Sequence, residues 1–137
     1  MSSTSRKTAK TRKNGKEQNW CECSDDNGKS PIVKVTFTTP PDDFAFSCQV
    51  ACMGAAGKVL MHQANPDDDW IFLHTNGLPT SQFSEDVEGN GKTMIITDKN
   101  KAPGDFYYTV TIRDGQGCEH TSPDHRIVTT PPMIRNR

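Results

Sequence analysis

Residues 106–113 read FYYTVTIR, and their alternation of apolar and polar side chains decides the fold class. In an extended strand successive side chains point to opposite faces, so a period of two is typical of a strand with one buried face. One face of this segment carries the large side chains Phe106, Tyr108, Val110 and Ile112. The segment therefore predicts a half-buried β-strand, which ends at the turn formed by residues 114–117.

The same period recurs through most of the chain after Pro31. Residues 44–52 give the clearest example, and residues 70–74 are apolar on both faces except at His74, which predicts a central strand. Gly89-Asn90-Gly91 indicates a hairpin turn. The predicted strands are 32–38, 44–52, 59–63, 70–74, 82–87, 93–97, 106–112 and 126–130. Short strands with turns every ~8–12 residues predict an all-β fold, an antiparallel sandwich or small barrel of about seven to eight strands.

The predicted core follows from the apolar faces of these strands. We expect it to contain Val33, Val35, Phe37, Phe46, Cys48, Val50, Trp70, Phe72, Ile95 or its neighbours, Tyr108, Val110 and Ile112. Residues 31–132 form the predicted domain. Residues 20–30 are expected to be an irregular lead-in, and residues 133–137 a frayed C-terminal tail.

Charge divides the chain into two parts. Residues 1–19, here called the basic arm, have a net charge of +5, and the remainder has −6. The arm contains almost no apolar residues, so we expect it to be disordered. A merely solubilising tail would have the same composition, but the basic side chains of the arm are also candidates for binding a polyanion or an acidic partner. These side chains are Arg6, Lys7, Lys10, Arg12, Lys13 and Lys16. Because the arm lacks aromatic residues, any binding to nucleic acid would be non-specific.

Residues 102–118, APGDFYYTVTIRDGQGC, resemble the penultimate-strand region of bacterial and phage immunoglobulin-like repeats. The order of Cys48, Trp70 and Tyr107 is similar to that of the strand B cysteine, strand C tryptophan and strand F tyrosine of such domains. Thr109 stands where antibody-type domains have their second cysteine. The resemblance implies an immunoglobulin-like sandwich without the usual intersheet disulfide, and a binding or structural role.

The five cysteines do not form an even disulfide framework, and no apolar signal-peptide region follows Met1. We therefore expect reduced thiols and a cytoplasmic or virion-associated protein. Cys48 and Cys52 are ~13 Å apart along a continuous strand, too far to pair. Cys48 is then a small core residue, and a disulfide from Cys118 to Cys52 or Cys21 stays open.

Cys118, His120 and His125 form the one cluster with metal-ligand character, helped by Cys21 and Cys23 if the fold brings them near. An ordinary exposed loop explains the same residues, because the spacing matches no standard zinc motif. The acidic turns at residues 25–28 and 67–69 do not complete a calcium loop.

No catalytic motif is present in the sequence, and no apolar stretch approaches the ~18 residues of a membrane span. We expect a non-enzymatic binding or structural module with no cofactor and with an unidentified protein partner, a module that can form part of a larger assembly. The alternative is a small metal-binding protein or enzyme that uses the cluster from Cys118 to His125.

Overall fold

The computed structural model describes residues 20–24, 30–123 and 132–137, and all structural statements refer to these residues. They contain strands and no helix, so the all-β prediction is confirmed. The strands are β1 (Trp20–Ser24), β2 (Ile32–Thr38), β3 (Asp43–Phe46), β4 (Val50–Met53), β5 (Gly57–Gln63), β6 (Ile71–Asn76), β7 (Phe83–Glu88), β8 (Thr93–Asp98), β9 (Gly104–Tyr107), β10 (Thr109–Arg113), β11 (Glu119–Thr121) and β12 (Met133–Asn136).

These strands form three sheets. The first has the order β3-β2-β5-β8-β7, the second β9-β12-β4-β1 and the third β11-β10-β6. Most neighbours are antiparallel, but β2 and β5, β4 and β12, and β1 and β4 pair in parallel. The prediction of a purely antiparallel arrangement is therefore wrong. More strands are also present than predicted. Segments on both sides of the expected domain each add a strand, two predicted strands divide, and residues 119–121 form one more.

One apolar core joins the three sheets. Its buried members come from β1, β2, β4, β5, β6, β7, β8, β10, β12 and adjoining residues, so the sheets enclose a common interior in a sandwich-like arrangement. The predicted core residues are buried, except that Phe46 is half-buried. At Ile95 or its neighbours, the buried side chains are the neighbours Met94 and Ile96. In β2 the alternation is complete: Val33, Val35 and Phe37 point inwards.

Two predicted strands each divide into two. Residues 44–52 contribute to β3 and β4, which lie in different sheets, with a break at residues 47–49. Residues 106–112 divide at Tyr108, whose N–H donates to the carbonyl of Pro132 at 3.3 Å. On either side, β9 pairs with β12, whereas β10 pairs with β6 and β11. The side-chain period continues through both breaks, and therefore the sequence does not reveal them.

Three predicted positions in the sheets are corrected. Residues 20–24 are the edge strand β1 rather than an irregular lead-in. Residues 133–136 are β12, which lies between β9 and β4 rather than fraying. The predicted central strand at residues 70–74 is β6, an edge strand of the three-stranded sheet. The predicted strand at residues 126–130 and the basic arm lie outside the described residues.

A disulfide joins Cys21 of β1 to Cys48, and their Cα atoms are 5.4 Å apart. Cys52 is also disulfide-bonded. Cys118 has an exposed, free thiol. The expectation of reduced thiols is thus wrong for Cys21, Cys48 and Cys52, and Cys118 does not pair with Cys21. The fold places β1 beside β4 as a parallel neighbour in the four-stranded sheet, a proximity that spacing along the chain does not indicate.

Candidate functional site

His120 of β11 lies between two carboxylates. Its Nδ1 is 2.7 Å from Oδ2 of Asp42, in the loop between β2 and β3. Its Nε2 is 2.8 Å from Oδ2 of Asp114, in the turn between β10 and β11. On the same strand pair, His120 is opposite Ile112. The imidazole thereby connects the five-stranded sheet to the three-stranded sheet.

The turn between β10 and β11 orients Asp114. Its Oδ1 accepts the N–H groups of Gln116 and Cys118, both at 2.9 Å. Its N–H donates to the carbonyl of Cys118 at 2.8 Å, and Gly117 has a φ of +88°, which a glycine adopts without strain. An aspartate whose side chain bonds the backbone two residues ahead is typical of such turns. With Oδ1 occupied in this way, Oδ2 is left to face His120.

Asp42 is oriented from its own loop. The Thr39 hydroxyl donates to Oδ1 of Asp42 at 2.7 Å, while Oδ2 receives His120. The ring of Phe37, a core residue of β2, packs against the imidazole with 4.8 Å between ring centroids. Each carboxylate is therefore held by a local hydrogen bond, and the imidazole lies on an aromatic side chain.

His120, Asp42 and Asp114 each stabilise the charged form of their partners in the cluster. A carboxylate only accepts, so two carboxylate partners require an N–H on both ring nitrogens, which is the imidazolium form. The hydrogen bonds to Asp114 and then Asp42 raise the pKa of His120. The pKa of Asp42 is lowered by the bonds from Thr39 and His120, and that of Asp114 by the bonds from His120 and the Cys118 N–H. The cluster therefore holds one positive charge between two negative charges.

This geometry limits the chemistry of the predicted cluster. A metal ligand or a general base needs a ring nitrogen with a free lone pair, and in the imidazolium form both nitrogens of His120 donate to carboxylates. Cys118 is joined to the cluster through its backbone N–H. Within the described ranges, no group of three or more His, Cys, Asp or Glu side chains is placed to hold a metal ion. His125 lies outside those ranges, so its predicted role stays a prediction.

Sequence reasoning missed both carboxylates of the cluster. Asp114 did carry a signal, because an aspartate that begins an Asp-Gly-x-Gly turn commonly bonds the following backbone. Asp42 carried none, since it is 78 residues from His120 and stands in a segment that indicates only a break between strands. The basic residues predicted to bind a polyanion, at positions 6–16, lie outside the described residues.

A cavity of about 400 Å³ opens where the edge strands β6 and β7 approach each other. The Glu85 carboxylate accepts the Thr75 N–H at 3.0 Å and also the Thr75 hydroxyl, so the acid covers part of the edge of β6. The lining is mixed, with the apolar Leu78 and Phe83 beside polar groups: Thr75, Thr80, Ser84 and Glu85. Since Glu85 is engaged with Thr75, the cavity has no uncommitted carboxylate for a ligand.

Comparison with known proteins assigns no family to the chain. No protein-family model matches it, and no characterised protein matches its sequence significantly. None of the described residues form a helix of the length and apolarity needed to cross a membrane.

Proposed function

We propose that this protein is a non-enzymatic binding or structural module that can form part of a larger assembly. In this proposal an immunoglobulin-like sandwich displays the basic arm to a polyanion or an acidic partner. Three sheets around one core are consistent with the sandwich resemblance. Trp70 is buried in that core together with Cys48, as the resemblance implies. The partner of Cys48 differs, because it is Cys21 of β1.

The observation that supports this proposal most is the firm attachment of β1, the strand that follows the arm, to the rest of the domain. The arm ends at residue 19, and β1 begins at Trp20. β1 pairs with β4, and the disulfide between Cys21 and Cys48 joins it covalently to the core. A force or a partner acting on the arm is thereby transmitted directly to the sandwich. Such attachment suits a segment that connects the domain to something else.

Charge favours an external partner for the arm. The arm has a net charge of +5 and the remainder −6. Exposed ion pairs contribute only about 0–1 kcal/mol each and are screened over ~8–10 Å, so attraction to the domain's own surface is weak. A polyanion also releases condensed counterions when basic side chains bind it. The six basic residues of the arm therefore gain more from a phosphate-rich or similarly charged partner.

The test compares three full-domain proteins: the intact chain, a deletion of residues 1–19, and a variant in which the six basic arm residues are Gln. The Gln variant is the matched control, because it keeps the length and changes only charge. Binding to duplex DNA and to heparin is measured against salt concentration. We expect binding by the intact chain alone, with a log–log salt slope of at most about 5 in magnitude on DNA. The deletion should leave the melting temperature nearly unchanged.

Two results would contradict the proposal. Equal affinities of the intact chain and the Gln variant would show that arm charge does not bind the partner. A large loss of stability on deletion would show that the arm belongs to the fold rather than to an interface.

A further inference from the structure

A buried polar group lies where the ends of β8 and β12 meet. Asp98 is the last residue of β8 and Asn136 the last of β12, and their side chains are 0% and 3% exposed. The Asn136 Nδ2 donates to Oδ1 of Asp98 at 3.1 Å. This contact joins the five-stranded sheet to the four-stranded sheet inside the protein.

The other two oxygen atoms of this pair are unsatisfied. Asp98 Oδ2 and Asn136 Oδ1 are buried and have no hydrogen-bond partner within the part of the chain that the structure describes. Burial of an unsatisfied polar atom costs about 1–3 kcal/mol, so two in one residue pair require an explanation.

The orientation of the Asn136 amide is well determined. Its Nδ2 is surrounded by three acceptors, Asp98 Oδ1 at 3.1 Å, Gln82 Oε1 at 3.3 Å and the Ala102 carbonyl at 3.4 Å. Gln82 Oε1 is itself identified as an acceptor by the N–H groups of Lys101 and Ala102. Rotating the Asn136 amide would direct an oxygen at three oxygens. The unsatisfied atom is therefore its oxygen.

We propose that Asp98 is a neutral carboxylic acid in the folded protein and that its Oδ2–H donates to Asn136 Oδ1, closing a cyclic acid–amide pair. The proton comes from solvent and returns to it when Asp98 ionises. A single proton satisfies both orphaned oxygens, because one becomes a donor and the other its acceptor. The two hydrogen bonds then run in opposite directions between the same two side chains.

The surroundings of Asp98 favour its neutral form. Burial raises the pKa of this carboxyl, and the smaller opposing effects come from the Asn100 N–H and from Asn136. The charged residues on the adjoining segments include Lys58 of β5, Glu85 and Asp86 of β7, Lys99 and Lys101 after β8, and Arg135 and Arg137 at β12. None of them contributes to the shift. The Arg137 side chain is directed instead to the Cys52 sulfur at 3.6 Å.

The pair makes the attachment of β12 depend on pH. Ionised Asp98 would place two acceptors against each other, so the native state binds this proton more tightly than the unfolded chain. A raised folded pKa contributes stability that is complete below the unfolded value of about 3.9 and is lost as pH rises through the folded pKa. Protonation of Asp98 therefore stabilises the contact between β12 and the end of β8.

The direct test is a titration of the oxidised, full-length protein by carbon NMR of the Asp98 carboxyl carbon. We expect this carbon to keep the shift of a protonated acid above the pH at which exposed aspartates have ionised. Amide hydrogen exchange in β12, corrected for its intrinsic pH dependence, should accelerate as Asp98 ionises. Titration of Asp98 at or below the ordinary value would overturn the proposal, and it is the result that a carboxylate satisfied by a cation would give.

Asp98→Asn is the matched variant, because an amide at this position donates to Asn136 Oδ1 and accepts from Asn136 Nδ2 at every pH. The unfolding equilibrium constants of the two proteins are compared across the pH range. We expect the native protein to lose stability relative to Asp98→Asn as pH rises, by up to about tenfold per pH unit. All other titrating groups are shared and cancel in the ratio. A ratio that does not change with pH would overturn the proposal.

Discussion

Gly91 lies in the turn between β7 and β8 with a φ of +90°, and its carbonyl accepts the Phe72 N–H of β6 at 2.9 Å. A Cβ at this position would be 2.5 Å from the Ile71 Cβ. Gly91→Ala therefore combines a left-handed backbone with a clash, and we expect it to lower the free energy of unfolding by roughly 2–4 kcal/mol in chemical denaturation.

Gly117→Ala is the control for that substitution. Gly117 has nearly the same φ, +88°, but a Cβ there meets nothing within 4 Å. We expect a loss of only about 1–2 kcal/mol from the backbone conformation. Equal losses for the two variants would show that the approach of β6 to the turn is looser than described.

At the scale of the element, β2 tests the alternation on which the fold class depends. Val33 is 1% exposed and its neighbour Ile32 is 49% exposed. Val33→Asp should lower the free energy of unfolding by roughly 3 kcal/mol or more, because it buries a charge without a partner. Ile32→Asp, in the same strand, should cost about 1 kcal/mol or less. A reversed order in denaturation would place β2 with the opposite face inwards.

The cluster around His120 joins the loop before β3 to the turn before β11, and its strength depends on pH. The raised pKa of His120 stabilises the fold fully below the unfolded value of about 6.5, and this effect is lost as pH rises through the folded pKa. The lowered pKa values of Asp42 and Asp114 act above about 3.9 and are lost as pH falls through the folded values. The cluster is therefore strongest between about pH 4 and 6.5.

His120→Gln removes this pH window. We expect the native protein to be more stable than the variant within the window and the difference to shrink on both sides, as measured by urea denaturation across pH. His74→Gln is the control, because His74 is exposed on β6, forms a hydrogen bond with Asn76 and has no carboxylate partner among the described residues. A difference that stays constant with pH would contradict the imidazolium assignment.

At the scale of the whole molecule, the disulfide between Cys21 and Cys48 closes a loop with a sequence separation of 27. Cross-linking a loop of this length stabilises a fold by roughly 3.5 kcal/mol. Replacing both cysteines with Ala should therefore lower the free energy of unfolding by about that amount, and reductant should destabilise the native protein but affect this variant less. Cys118→Ala should have little effect, because that thiol is exposed and free.

Insensitivity of the native protein to reductant would contradict the structural role of this disulfide. Disulfides of this kind persist where the surroundings are oxidising. The expected cytoplasmic or virion-associated location stays a prediction, and the cysteine pairing favours surroundings that do not reduce the domain.

The sequence by itself determined the all-β class, the inward face of β2, the positive φ values at the turn of residues 89–91 and most of the core. These properties follow from neighbouring residues, since the alternation of side chains and the backbone freedom of glycine are local effects. The signal was strongest where one face of a strand is buried and the other exposed, as in β2.

Only the tertiary structure decided which strands become neighbours. It divided residues 104–113 between two sheets at Tyr108, placed β12 between β9 and β4, and brought Cys21 to Cys48. It also assembled the groups around His120 and Asp98, whose members are separated by up to 78 residues in the chain. Such contacts depend on how whole faces pack and on which buried polar atoms find partners, and the local period of a sequence carries no information about either.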